Sequence, residues 1–262
     1  MKFCSLYSGS SGNSLFVSQS ETKLLIDAGL SGKRIEQALV SIDELPGEIR
    51  GILVTHEHKD HIHGVGVLSR RYNLPIYANE GTWKRMEESL GRIKEHNRFI
   101  FETDRPFCIG DLEIEAFSTS HDAAASVGFT INNGSASIGI ATDTGMITPR
   151  IVEALENRDL VVLESNHDPS MLDAGWYPFP LKQRIKSDYG HLSNAICAKT
   201  VETLVRGGVD KVVLAHLSQE NNYPLLAYQT TECVLKEAGI IAGEDLSLAV
   251  AKRSSSSDIY EL

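Results

Sequence analysis

The chain reads Thr55-His56-Glu57-His58-Lys59-Asp60-His61 directly after a short apolar run that predicts a buried strand. Side chains two residues apart in an extended segment point to the same side, so His56 and His58 can bind one ion. Asp60 and His61 are expected to start the next helix and to face a neighbouring ion. Neutral imidazoles and carboxylates are natural ligands of Zn²⁺, Mn²⁺ and iron. The spacing therefore predicts a metal site rather than a polar loop with accidental histidines.

Three polar residues further along the chain each follow a predicted buried strand. Sites built on sheets collect their ligands where strands end, so these residues are expected to complete a site for two ions. One isolated histidine after a strand is more often satisfied by local hydrogen bonds, but three residues after the first motif form a stronger signal. They are His121 after strand 112–118, Asp143 after strand 135–141 and His216 after strand 211–215.

The composition is that of an average soluble globular protein, with 262 residues of which 42% are hydrophobic and 23% are charged. It excludes a disordered chain, a collagen-like chain and a coiled coil. The formal net charge of −10 argues against extended tracking along nucleic acid, because phosphate contacts need clustered positive charge. No signal peptide, no apolar run near the ~20 residues that span a bilayer and no CxxC pair is present. We therefore expect a cytoplasmic protein with reduced thiols and no membrane partner.

The predicted elements favour two sheets. Strand-rich segments alternate twice with segments in which helices and strands take turns, which is typical of two sheets packed face to face with helices outside. Residues 1–262 contain no linker or repeat and are expected to form a single domain. Three local expectations are a helix capped by Ser31, a two-residue hairpin at Asn133-Gly134 and a frayed, Ser-rich C-terminus.

The motif HxHxDH and the three downstream residues, in this order along nearly the whole chain, resemble the metallo-β-lactamase fold hydrolases. The resemblance implies an α/β (α+β) fold, a four-layer αββα sandwich with its site at the edge of two sheets. It also implies two divalent metal ions per chain, Mn²⁺ or Zn²⁺ or iron. Leu25-Ile26-Asp27-Ala28-Gly29 resembles the family's first motif, in which Asp27 would support the ligand loop. The implied ligands are His56, His58 and His121 for one ion and Asp60, His61 and His216 for the other, with Asp143 bridging.

Two close cations would lower the pKa of a shared water, so that a metal-bridging hydroxide attacks phosphorus or a carbonyl carbon. Asp60 is predicted to be catalytic because it could orient this hydroxide, and pure ligation is its alternative role. His191 precedes a predicted helix that begins at Ser193, and a helix start is a ready anion site. We predict that His191 stabilises a phosphate oxyanion or donates a proton to the leaving oxygen, the alternative being an exposed histidine in a capping segment.

The metal ligands do not distinguish the β-lactamases, thiolesterases, lactonases and nucleases of this fold. Asp60 and the missing signal peptide argue against a β-lactamase, and the ligand spacings leave no room for a large inserted domain. Four segments resemble one branch, the YycJ/WalJ-type exonucleases: Tyr7–Ser14, Thr55–His61, Glu164–Asp168 and Gly190–Asn194. This branch implies a Mn²⁺-supported 5′→3′ DNA exonuclease that acts at DNA 5′ ends and is linked to DNA repair. The residues predicted to bind substrate are Ser10, Ser11, Asn13, Asn166, His167 and Ser193.

Two other functions stay open at this point. A small-molecule hydrolase, either a cyclic or nucleotide phosphodiesterase or a thiolesterase/lactonase, would be favoured by a closed pocket around the metals. A metal-dependent binding or regulatory module would keep the ligands without catalysis, which the intact ligand set disfavours. The sequence sets neither the native metal nor the oligomeric state.

Overall fold

Fourteen strands form two seven-stranded sheets in the computed structural model, which describes residues 1–262. The first sheet contains β1 (Lys2–Tyr7), β2 (Ser14–Gln19), β3 (Thr22–Ile26), β4 (Gly51–Leu53), β5 (Ile76–Ala78) and β6 (Arg98–Ile100) side by side, with β14 (Tyr260–Glu261) beside β1. Strands β1 to β3 pair antiparallel, whereas β3 to β6 pair parallel.

The second sheet has the same organisation, an antiparallel part followed by a parallel part. It contains β7 (Phe107–Ile109), β8 (Leu112–Ser118), β9 (Val127–Asn132), β10 (Ser137–Ala141), β11 (Leu160–Glu164), β12 (Lys211–Ala215) and β13 (Ser247–Val250) in chain order. Strands β7 to β10 pair antiparallel, and β10 to β13 pair parallel.

Nine α-helices accompany the sheets. They are α1 (Gly32–Val40), α2 (Lys59–Ile62), α3 (Val65–Tyr72), α4 (Glu80–Leu90), α5 (Pro149–Leu155), α6 (Pro169–Ala174), α7 (Phe179–Lys186), α8 (Asn194–Arg206) and α9 (Pro224–Glu237), with 3₁₀ turns at Pro46–Glu48 and Glu95–Asn97. The longest, α9, has 14 residues, and none of the helices has the length and apolar character needed to cross a membrane.

Three hydrophobic clusters separate four layers. In β2, Phe16 points outward to the cluster with α1, α3 and α4, whereas Leu15 and Val17 point into the cluster between the sheets. In β11, Val162 points into that central cluster, and Val161 points outward to the cluster with α5, α8 and α9. Strands that are buried on both faces explain the continuous apolar runs. The predicted αββα sandwich is confirmed.

Most predicted elements lie where the sequence places them, and the differences have local causes. Ser31 precedes α1 as its N-cap residue but makes no side-chain capping hydrogen bond. The β9–β10 hairpin has a loop of four residues, 133–136, so the predicted two-residue turn is wrong. The loop is longer because the Asn133 side chain accepts hydrogen bonds from backbone N–H groups inside it.

The Ser-rich C-terminal segment is ordered, so the predicted frayed end is wrong. The backbone N–H of Ser257 donates to the carbonyl of Ser5 at 2.8 Å, and that of Leu262 donates to the carbonyl of Met1 at 2.8 Å. These partners lie at the opposite end of the chain, so no local sequence pattern announces them.

Backbone hydrogen bonds tie the loops after β1 and β3 to the short helix α2. The N–H of Ala28 donates to the carbonyl of His61, and the N–H of Asn13 donates to the carbonyl of Asp60, both at 2.8 Å. The loops approach so closely that a Cβ atom at Gly29 would lie 1.6 Å from the Asp60 carbonyl oxygen. Glycine at this position therefore sets where α2 sits.

Replacing Gly29 with Ala is expected to lower the free energy of unfolding by about 3 kcal/mol or more, because backbone must move to remove the overlap. Chemical denaturation measures the change. Gly47→Ala is the matched control, since a Cβ at Gly47 would meet only Tyr72, at 4.0 Å. Equal stability of the two variants would contradict the close approach at Gly29.

Candidate metal centre

The histidine-rich motif lies between β4 and α2. Helix α2 begins at Lys59 with His58 as its extended N-cap residue, so the chain changes from extended to helical inside the motif. The predicted helix start at Asp60 and His61 is therefore confirmed. This change of backbone direction explains why the motif side chains divide into two groups, His56 with His58 and Asp60 with His61. Each group has one buried histidine, His56 or His61, and one partly exposed residue, His58 or Asp60.

Three imidazole nitrogens converge in the first group. His56 Nε2 lies 3.0 Å from His58 Nδ1, which lies 3.2 Å from His121 Nε2. His121 follows β8 and therefore comes from the second sheet. The group thus joins both sheets, and its donor atoms lie within 4.8 Å of one another, close enough to share one ion.

The second group combines carboxylates with imidazoles. Asp60 Oδ2 lies 3.6 Å from His61 Nε2 and 3.8 Å from His216 Nε2. Asp143 lies between the groups, with its Oδ2 3.2 Å from His61 Nε2 and its Oδ1 3.8 Å from His121 Nε2. The seven residues predicted as ligands therefore lie in one cluster, which is called the ligand cluster below.

Hydrogen bonds behind the ligand cluster determine which ring nitrogens face it. Asp27 accepts from His61 Nδ1 at 2.7 Å and from the hydroxyl and backbone N–H of Thr55 at 2.8 and 2.9 Å. The Gly190 carbonyl accepts from His121 Nδ1 at 3.0 Å. Because each ring donates its Nδ1 proton away from the cluster, the Nε2 lone pairs of His61 and His121 point into it.

Glu164 belongs to this arrangement, although the sequence analysis identified it only as the first residue of the segment Glu164–Asp168. It ends β11, is fully buried, and its Oε1 accepts from the Nδ1 atoms of His216 and His191, both at 2.8 Å. Its Oε2 accepts from the backbone N–H of Thr144 at 2.9 Å. The available signal was the one that identified Asp143, an acidic residue at the end of a buried strand.

Burial and neighbouring carboxylates divide the histidines into two classes. Burial lowers the pKa of His56 well below its ordinary value, and burial also lowers the pKa of His121, so both rings are neutral and ready to ligate. Burial acts the same way on His216, but Asp143 and the other carboxylates outweigh it and raise its pKa to about 10. A proton and a divalent cation therefore compete for the second group.

Two buried atoms of the ligand cluster have no hydrogen-bond partner, Asp143 Oδ2 and His216 Nε2. An unpaired buried carboxylate oxygen or ring nitrogen costs free energy unless a donor or cation lies against it. Both atoms sit beside other acceptors of the cluster, which a cation between them would satisfy. Imidazole nitrogens with carboxylate oxygens are the donor set of Zn²⁺ and Mn²⁺. The residues present therefore fit divalent metal ions.

Three residues that build the site have left-handed backbone conformations: Asp27 at φ 60°, Asp143 at φ 55° and His216 at φ 55°. This conformation is uncommon outside glycine and marks local strain. Asp27 and His216 directly follow β3 and β12, and Asp143 follows β10 by two residues. The abrupt turn after each strand brings these side chains to one edge of the sandwich.

The residues predicted to bind substrate fall into two environments, the first of which is the loop between β1 and β2. Asn13 lies at the ligand cluster, with its Nδ2 3.4 Å from Asp60 Oδ2 and its Oδ1 accepting from the backbone N–H of Gly9. Ser10 and Ser11 are exposed in the same loop. Substrate can therefore reach this loop from solvent.

The other three, Asn166, His167 and Ser193, are buried in the framework. Asn166 donates from its Nδ2 to the carbonyl of His216 at 2.9 Å, and Ser193 caps α8 by accepting from the N–H of Ile196. The His167 carbonyl accepts from the first N–H of α8 at 2.8 Å. Donors at the start of α8 are thus used internally, which differs from the expected anion site there.

His191 lies at the mouth of the ligand cluster. Its ring centroid is 5.0 Å from that of His121 and 5.3 Å from that of His216, and its side chain is 22% exposed. Glu164 binds its Nδ1, which leaves Nε2 free for a ligand. A pocket of about 170 Å³ opens beside this imidazole.

The pocket lining mixes polar and apolar groups. Ser10, Asn166 and Ser218 contribute hydroxyl and amide groups, and Leu181 and Ile185 of α7 contribute aliphatic surface. The pocket is therefore a partly open cleft with a mixed lining, not a closed apolar cavity around the ligand cluster.

Residues 22–217, a span that includes the whole ligand cluster, match the Beta-lactamase superfamily domain. The chain belongs to this superfamily. The resemblance to metallo-β-lactamase fold hydrolases, drawn from the motifs alone, is confirmed.

The similarity to two named exodeoxyribonucleases extends over nearly the full length. The chain is 42% identical over 263 residues to "Exodeoxyribonuclease WalJ" of Streptococcus pneumoniae, covering 100% of this chain and 98% of that protein. It is 43% identical over 244 residues to "Exodeoxyribonuclease YycJ" of Bacillus anthracis, covering 93% and 92%. The chain therefore groups with the YycJ/WalJ branch inside the superfamily.

Solved structures of more distant proteins share the fold. The metallo-β-lactamase fold protein YhfI from Bacillus subtilis superimposes with a TM-score of 0.75 at 16% identity, covering 100% of this chain and 99% of that one. Zn²⁺-bound PqqB from Methylobacterium extorquens gives a TM-score of 0.71 at 18% identity, covering 98% and 100%. At these identities the likeness concerns the fold alone.

Replacing Glu164 with Gln is expected to weaken metal binding about 10- to 100-fold, because the amide can donate to His216 Nδ1 and disturb the tautomer that presents Nε2. Isothermal titration with Mn²⁺ or Zn²⁺ measures the affinity. Glu113→Gln, an exposed position on β8, is the matched control. Unchanged affinity in the Glu164 variant would show that the carboxylate does not orient the ring.

Proposed function

We propose that the protein is a dinuclear metal-dependent phosphodiesterase that removes nucleotides from DNA in the 5′→3′ direction. The observation that carries the proposal is the set of seven clustered donor residues in a chain 42% identical, over its full length, to an exodeoxyribonuclease. The cleft beside the cluster is partly open and has His191 and Arg184 in its lining, which supports a phosphate substrate that extends beyond the cluster over a small apolar one. Four free thiols support a cytoplasmic location.

In this proposal the two groups each hold one divalent ion, Mn²⁺ or Zn²⁺. When bound, the two cations supply a water of lowered pKa and offset the negative charge that develops at phosphorus. The first ion would be held by His56, His58 and His121, the second by Asp60, His61 and His216, and both by Asp143.

Asp60 is proposed to orient the attacking water as well as to bind metal. Its side chain is 28% exposed, whereas that of Asp143 is 3% exposed, so solvent can reach Asp60 while Asp143 is buried. Asn13 lies beside its carboxylate and restricts its orientation. A carboxylate that is fixed in this way can accept a hydrogen bond from a water in the cleft.

His191 is proposed to donate a proton to the leaving oxygen. Burial lowers its pKa, but the Glu164 carboxylate outweighs burial and raises the pKa above the ordinary value, which favours the protonated ring. Because Nδ1 is bound to Glu164, the proton available to substrate is the one on Nε2. Protonation of the departing oxygen at that atom is general acid catalysis.

The activity is tested with end-labelled double-stranded DNA, RNA and bis-p-nitrophenyl phosphate, each with Mn²⁺, Zn²⁺ or EDTA. We expect mononucleotide release from 5′-phosphorylated DNA that EDTA abolishes, because the acceptors of the ligand cluster need cations to act. Cleavage of the small diester alone would show a small-molecule phosphodiesterase instead and would overturn the proposal.

His191→Ala is expected to lower kcat on DNA about 100-fold or more, which is the usual contribution of a general acid. Metal content, measured by mass spectrometry, is expected to stay near that of the unmodified protein, because Glu164 holds this ring and His191 is outside the proposed ligand set. His96→Ala, an exposed histidine on a 3₁₀ turn, is the control. Loss of one ion from the His191 variant would identify His191 as a ligand and remove its proposed role.

A further inference from the structure

The three most exposed aromatic residues of the chain lie within one segment. Trp176, Phe179 and Tyr189 are 75%, 72% and 64% exposed, and no other aromatic residue exceeds the 48% of Tyr223. We call Trp176–Tyr189 the aromatic segment. Its helix α7 has no buried residue, so the segment lies on the body of the protein without contributing to a hydrophobic core. Exposing large aromatic rings is costly unless they meet a partner.

The aromatic segment is continuous with the cleft. Tyr177 belongs to it and lines the pocket beside His191, and the Tyr177 and Trp176 rings pack edge to face at 4.9 Å. At its other end, the carbonyl of Tyr189 accepts from the backbone N–H of Asp122, next to the metal-facing His121. The segment that carries the exposed rings is therefore attached to the pocket at Tyr177 and to the residue after His121 at Tyr189.

The cationic side chains of the aromatic segment already have partners within the protein. Arg184 pairs with Asp122 and Lys186 pairs with Asp173. Lys182 donates to two backbone carbonyls at 2.8 and 2.6 Å, which fixes its ammonium group against the body. Flat aromatic faces, rather than free cations, are what this surface offers, and such faces stack on nucleic acid bases without sequence preference.

We propose that the aromatic segment is a stacking surface for unpaired bases of the DNA strand that occupies the cleft, with Trp176 and Phe179 as its main contacts. This inference rests on the proposed exonuclease function and specifies which part of the substrate lies outside the ligand cluster. A second copy of the chain could cover the same rings. Single-stranded DNA is favoured because the segment continues into the pocket that holds His191, where a phosphodiester must sit.

The two tryptophans make the contact directly measurable. Trp83 is 1% exposed and Trp176 is 75% exposed, so quenching by an added ligand reports on Trp176. The probe is a phosphorothioate oligothymidine, which resists cleavage, added to the metal-loaded protein. We expect saturable quenching, and binding at least about fivefold weaker for an abasic oligomer of equal length and charge. Absence of quenching, or equal binding of both oligomers, would overturn the proposal.

Substitutions test the contribution to turnover. The double variant Trp176→Ala with Phe179→Ala is expected to raise the KM for oligothymidine. This increase is expected to be at least about fivefold larger than the increase in the KM for bis-p-nitrophenyl phosphate. The single variant Trp176→Phe, which keeps an aromatic ring, is expected to have a KM for oligothymidine close to that of the unmodified protein. Phe99→Ala, which removes an exposed aromatic ring from the edge strand β6, is the control. An equal loss on both substrates would show a structural effect and would contradict stacking.

Two further readouts separate this inference from its alternatives. Sedimentation at several protein concentrations tests self-association, and dissociation of a dimer by the double substitution would assign the rings to a second copy and overturn the proposal. Base-dependent quenching by a protein that cleaves no DNA would support the stacking surface and remove the exonuclease function. Cleavage of DNA without base-dependent quenching would support the exonuclease function and overturn the stacking surface.

Discussion

The concentration of electron-pair acceptors at one edge of the sandwich is the constraint on which the site depends. Asp143 Oδ2 and His216 Nε2 are buried without a hydrogen-bond partner, and Asp60 and His61 present further acceptors within 4 Å. Such atoms repel one another unless positive charge lies between them. The fold holds them in place from behind, through Asp27 and the other buried acceptors, so that the missing charge can be supplied by cations.

This arrangement depends on strands from both sheets ending at one place. The first sheet brings Asp27 and the histidine motif, and the second brings Asp143, Glu164 and His216 from neighbouring parallel strands. Left-handed residues right after these strands are strained, but the paired, buried strands on either side fix them. We propose that residues 1–262 form one folding unit, because each of the two proposed ligand groups takes residues from both sheets.

How well the sequence predicts a feature of the site depends on how far apart in the chain the interacting residues lie. The residues of the histidine motif are close together in sequence, so the shared metal site and the change from strand to helix can be predicted without a structure. The later ligands were found because a polar residue after an apolar strand is also a local signal. The role of Glu164 was missed because it depends on two rings, His191 and His216, that lie 27 and 52 positions away. The C-terminal pairing with β1 was missed for the same reason.

The net charge of −10 is consistent with the charged groups around the cleft. A protein that follows a duplex through phosphate contacts needs many free cations, and around this cleft Arg184 and Lys186 are already paired with carboxylates. The positive charge needed beside the reacting phosphodiester would instead be supplied at the ligand cluster by two metal ions. Bases, unlike phosphates, can be bound by uncharged rings, and the exposed Trp176 and Phe179 belong to the segment whose Tyr177 lines the cleft. If the proposed function holds, an acidic body with two bound metal ions and an aromatic rim would favour engagement of a strand end over engagement of an intact duplex.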